Sequence, residues 1–150
     1  MYQLLLYVHI VCAVIWVGGA AYVQLLAARV TRSDDPAEVP QLARHVEALG
    51  TRVFVPAAAL LLLSGAAMTY QAWSFGQGWI VVSIALWLLS AVAGALYLAP
   101  RAKRAAELFE TEGPTSPAAL GLTQRLFLVS RLELISFAVV IALMVFKPGI

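Results

Sequence analysis

The chain is short of the residues from which soluble enzymes build sites. Ten Lys or Arg and eight Asp or Glu make it 12% charged, against about 25% in soluble domains. Cys12 is the one cysteine, which rules out an internal disulfide and leaves the redox compartment unassigned. Two histidines and three methionines are too few for a metal-transport tract. No nucleophile elbow, phosphate loop or HExxH pattern occurs, so the common hydrolase signatures are absent. A net charge of +2 indicates no nucleic-acid partner. No basic residue precedes Arg29. The first apolar stretch therefore lacks the basic start of a cleavable signal peptide and is about twice too long for one, so it reads as a retained span.

What the chain has is hydrocarbon. Hydrophobic residues make up 62% of it, and mean hydropathy is +0.87. Spanning helices need roughly 20 mostly apolar residues, and four segments qualify: about 3–26, 53–73, 79–99 and 127–146. The turn "SFGQG" at 74–78 splits the long charge-free stretch between Val53 and Pro100, because glycine and small polar residues punctuate helices. The expected fold is all-α: a single-domain, polytopic membrane four-helix bundle. Barrel strands would be shorter and would alternate. Gly18, Gly19, Gly65, Gly94 and neighbouring alanines offer close-packing surfaces.

Both long connections are polar. Residues 29–52 carry turn signals at Ser33–Pro36 and a helical pattern from about Gln41. Residues 101–125 begin as a helical extension and break at Gly113-Pro114. These connections hold Arg29, Arg32, Arg44, Arg52, Arg101, Lys103, Arg104 and Arg125. By the positive-inside rule they face the cytoplasm, which puts both termini on the outer side.

Ionisable groups inside such spans are rare and usually face the bundle interior. His9 sits about 9 Å below the outer boundary, on a stripe with Tyr2, Leu5, Cys12, Ala13, Trp16 and Ala20. It is a candidate haem or metal ligand or a proton-handling group. The alternative is a neutral histidine bonded to a nearby hydroxyl or carbonyl. Met68 lies at about the same depth in the second span and is the candidate second axial ligand, since haem iron accepts His and Met. His9 and Cys12, three apart on one face, are an alternative copper(I) pair. In the fourth span only Leu134–Phe146 is charge-free, so a full span includes Arg131 and Glu133. Arg131 can snorkel. Glu133 is expected to turn inward toward Arg52 or Arg29, or else to lie among headgroups. His45 reads as a solvated residue and Lys147 as an interfacial anchor.

Four stretches in order, "HIVCAVIWVGG" (9–19), "VPAAALLLLSG" (55–65), "GW" (78–79) and "MVFKP" (144–148), resemble a bacterial group of small membrane proteins. That group takes in CopD-like copper-resistance domains, HemJ-type protoporphyrinogen oxidases and an uncharacterised integral membrane family, the nearest in form. The resemblance implies a bacterial cytoplasmic (inner) membrane location and haem b on the histidine corresponding to His9, with Trp16, Gly19, Pro56 and Gly65 matching the pattern. Two places depart from it. Ser83 stands where HemJ-type proteins carry a lysine, and "SRLEL" replaces their Glu-x-Pro-like opening of helix four. Oxidase activity is therefore not implied. The expectation is a haem-b-binding membrane protein with a redox or haem-related role. Alternatives are a non-enzymatic accessory subunit, in a homo-oligomer or larger membrane complex, and copper handling.

Overall fold

In the computed structural model, residues 1–30, 32, 33, 35 and 37–149 are described. The chain runs α1 (Tyr2–Val30), α2 (Glu38–Leu49), a π-helical stretch (Gly50–Phe54), α3 (Val55–Ala72), α4 (Gly78–Val92), a second π-helical stretch (Ala93–Leu98), α5 (Ala99–Glu112) and α6 (Pro117–Phe146). No strand occurs among the described residues. Four continuous helices are long and apolar enough to cross a membrane: Tyr2–Val30, Glu38–Ala72, Gly78–Glu112 and Pro117–Phe146.

The middle two differ from the expected 53–73 and 79–99. Each is 35 residues long, about 52 Å at 1.5 Å per residue, against roughly 30 Å of hydrocarbon. The polar connections are thus not separate segments. They continue the spanning helices beyond the lipid. Each passes through its π-helical stretch just before a proline, Pro56 or Pro100. Proline lacks the N–H that an α-helix uses and its ring crowds the carbonyl four residues earlier. A wide turn at that point relieves both, so the helix passes the proline without breaking.

The fourth spanning helix, α6, also begins earlier than the expected 127. Ser116 caps it: its Oγ accepts from the Ala119 N–H at 3.3 Å and donates to Glu112 Oε2 at 2.5 Å. Pro117 then occupies the first turn, where its missing N–H costs nothing. Gly113 breaks the chain at φ +88, as the sequence suggests. The expected turn at Ser33–Pro36 includes positions 34 and 36, which lie outside the described residues. At its described positions the Asp35 N–H donates to Ser33 Oγ and the Ala37 N–H to Asp35 Oδ1.

Beyond the lipid, α2, α5 and the start of α6 form a small polar-faced layer. It closes on Ala105, Leu108, Phe109 and Ala119, with Val39, Ala43, Leu120 and Leu122 packed around them. Within the membrane, α1 packs most extensively on α3, and α6 packs on both α1 and α4. The remaining seam, between α3 and α4, has scarcely any close backbone approach. Gly19 accommodates the Phe54 ring, which would lie 2.5 Å from an added Cβ, and Gly65 accommodates His9. Gly18 and Gly94 face open space, so they are not the packing surfaces their composition suggested.

A histidine-lined cavity at the termini end of the bundle

His9 is buried, 8% exposed. Its Nδ1 lies 2.9 Å from the Leu61 carbonyl oxygen and 3.2 Å from Ser64 Oγ. A carbonyl only accepts, so Nδ1 is the donor; in the neutral ring Nε2 then keeps its lone pair. Ser64 in turn donates to the Leu60 carbonyl at 2.6 Å. The ring fits because residue 65 is glycine: a Cβ there would stand 2.9 Å from His9 Cε1 and 3.3 Å from Nδ1.

His9 lines a cavity of about 250 Å³ bounded by α1, α3, α4 and α6. From α1 come Tyr2, Leu6, His9, Ala13, Trp16 and Val17, one helical stripe at spacings of three and four. From α3 come Leu61, Gly65, Met68 and Thr69; from α4, Trp79, Ile80, Ser83 and Trp87; from α6, Phe137, Val140, Ile141 and Met144. Its walls are mostly apolar. Trp16 lies against Phe137 at a 46° tilt with centroids 4.7 Å apart and meets Trp87 edge-on at 6.4 Å. The unclosed α3–α4 seam is one side of this cavity.

At the end nearest the termini, Trp73 and Trp79 meet edge-to-face at 5.5 Å. Trp73 Nε1 donates to the Tyr2 hydroxyl at 3.4 Å. Lys147 also lines the cavity, with its ammonium 4.4 Å from the Trp73 centroid and 5.9 Å from that of Trp79. The indole N–H groups of Trp79 and Trp87 are buried without an acceptor.

The predicted residues sort unevenly. His9, Met68 and Trp16 come together on the one cavity, and Ser83 joins them with its hydroxyl donating to the Trp79 carbonyl at 2.7 Å. Cys12 is buried but does not line the cavity. No group of three His, Cys, Asp or Glu able to hold a metal ion occurs among the described residues. The inward pairing expected of Glu133 is not made. The ion pair among the described residues is Arg104–Glu107, at 3.4 Å. Arg52 is exposed, on a helix that packs against α1 rather than α6. Arg29 does lie on α1, but about 13 Å deeper than Glu133, counting from the Gln24 crossing at 1.5 Å per residue. That crossing is what joins α1 to α6 here: Gln24 Nε2 donates to the Phe127 carbonyl at 3.1 Å, and Arg131 Nε donates to Gln24 Oε1 at 3.2 Å.

Sequence reasoning missed the Leu61 carbonyl and Ser64 as partners of His9. Depth counting could have found them. His9 is about 10 Å from the start of α1 and Ser64 about 12 Å from the end of α3, a closer match than Met68 at about 6 Å. The place of Lys147 on the cavity carried no such signal, because it depends on the turn after α6.

A haem group asks for an imidazole with a free nitrogen, apolar walls and aromatic faces. The first is met by Nε2 of His9 and the others by the Trp16–Phe137–Trp87 cluster. Met68, 8% exposed, offers a thioether on the same cavity. In donor and wall chemistry the residues present match such a group.

The sequence profile of the family described as predicted integral membrane protein (DUF2269) matches residues 3–148. The chain belongs to that family. No curated protein and no solved structure matches.

Proposed function

We propose that this member of the DUF2269 family binds haem b in the cavity between its four spans, with His9 Nε2 as axial ligand and Met68 as the candidate second ligand. The observation that carries the reading is the split use of the imidazole. Nδ1 is anchored on a backbone carbonyl while Nε2 makes no hydrogen bond among the described residues. That arrangement fixes ring orientation and tautomer, and it is how ligating histidines are held. Bound haem would supply one-electron chemistry. The chain's own part is to orient the ligand through Leu61 and Ser64, to keep a close approach open at Gly65, and to exclude water with its tryptophans.

Cation placement supports an orientation with the polar layer inside and both termini outside, and the resemblance implies that the membrane is a bacterial cytoplasmic one. Copper handling by His9 and Cys12 draws no support from the cavity, since Cys12 is off its lining.

The test is a spectrum of the protein purified in detergent from haem-replete cells. A Soret band that disappears in His9→Ala is the expected result. A colourless wild-type preparation that also fails to bind added haem would overturn the reading. One observation favours a second reading. The bonds of His9 to Leu61 and Ser64 are also those of a packing residue in an accessory subunit, within a homo-oligomer or a larger membrane complex. That reading expects co-purification of other subunits and normal assembly of His9→Ala.

A further inference from the structure

We infer that the termini end of the cavity is an anion subsite, in which Lys147 receives the acidic head of an amphipathic ligand whose rigid apolar body fills the cavity below. The backbone at Lys147 is the first ground. It adopts φ 42, ψ 60, a left-handed conformation that glycine takes freely and a lysine takes at a cost. It still closes α6, with its N–H on the Leu143 carbonyl at 2.9 Å. Glycine would serve that turn at lower conformational cost.

The side chain is the second ground. The turn brings the ammonium back over the cavity end, 4.4 Å from the Trp73 centroid. It forms no ion pair there among the described residues. Beside it Trp79, only 9% exposed and on the same lining, has an indole N–H without an acceptor. Two donors near one end of a mostly apolar cavity call for a ligand that brings the acceptor. A buried donor left unpaired is costly, and charge-assisted bonds to a carboxylate or phosphate are the strong remedy.

The inference deepens the haem reading, since haem carries acidic side chains, and it rests on that reading's cavity but not on its iron. The probe is therefore protoporphyrin IX, the macrocycle without metal, alongside its dimethyl ester, titrated by fluorescence into the protein in neutral detergent. Wild type should prefer the acid over the ester by about ten- to a hundredfold, the scale of one charge-assisted contact. Lys147→Gly, which relieves the backbone, should lose that preference and keep its affinity for the ester. Lys147→Arg should retain it. An acid-to-ester ratio unchanged in Lys147→Gly overturns the inference, as does a wild type with no preference. A lipid phosphate is the other source of the same anion. Phosphatidylglycerol that displaces the acid from wild type where phosphatidylcholine does not, with no such difference in Lys147→Gly, assigns the subsite to the lipid. Haem titrated in parallel separates the two readings. Loss of the His9-dependent Soret band with the acid preference intact sinks the haem reading alone. A normal Soret band with no acid preference sinks this one alone.

Discussion

Replacing Gly65 with alanine places a methyl carbon 2.9 Å from His9 Cε1 and 3.3 Å from Nδ1. Carbon atoms in good contact sit about 3.5–4.0 Å apart, so roughly 0.6–1 Å must be found. The imidazole can retreat, but only by stretching the 2.9 Å bond to the Leu61 carbonyl, or α1 and α3 can separate along their whole seam. Losing a buried hydrogen bond costs about 1–3 kcal/mol, and overpacking costs about 1–3 kcal/mol. Alanine recovers about 1 kcal/mol of helix propensity. The sum is a net destabilisation of about 1–5 kcal/mol. Gly18→Ala is the matched control, because a Cβ there meets nothing within 4 Å and the same propensity gain goes unopposed. Thermal unfolding in detergent reads the stability, and nitrogen-15 NMR of the histidines reads which ring nitrogen of His9 is protonated. Gly65→Ala should melt below wild type and blur the Nδ1–H signature, while Gly18→Ala should melt at or above it. A Gly65→Ala protein as stable as wild type, with His9 still held as the Nδ1–H tautomer, would refute the claim that this glycine sets the imidazole.

Gly19→Ala sets a methyl 2.5 Å from the Phe54 ring and should cost about 1–3 kcal/mol by overpacking; Phe54→Leu in the same background should restore part of it, checked by the same melts. The proposed orientation is open to labelling, since Cys12 is buried and Ser74 and Thr111 are exposed at opposite ends of the bundle. A membrane-impermeant thiol reagent should modify Ser74→Cys in intact cells and Thr111→Cys only after lysis, and the reverse pattern would turn the protein over.

Depth was legible in the sequence, and azimuth was not. Hydropathy and charge are properties of each segment by itself, so four spans, the 74–78 turn and the break at Gly113 could all be read from the chain. So could the stripe that takes in His9, Ala13 and Trp16, because helical periodicity is local. The lengths of the middle helices could not. Charge bounds only the part of each helix that suits lipid, and π-helical turns carry the helix on past Pro56 and Pro100.

Partners needed the tertiary structure. Counting residues puts Glu133 and Arg52 at similar depth, yet two residues at one depth meet only if their helices pack and rotate toward each other. The helix carrying Arg52 packs on α1, and α1 joins α6 through Gln24 and Arg131 instead. His9 shows the same division in one residue. Composition alone says that an imidazole in hydrocarbon needs a partner, because an unpaired polar group there is costly. Which of its nitrogens is held and which is free follows from the place of the Leu61 carbonyl, and that is decided by how closely Gly65 lets two helices approach.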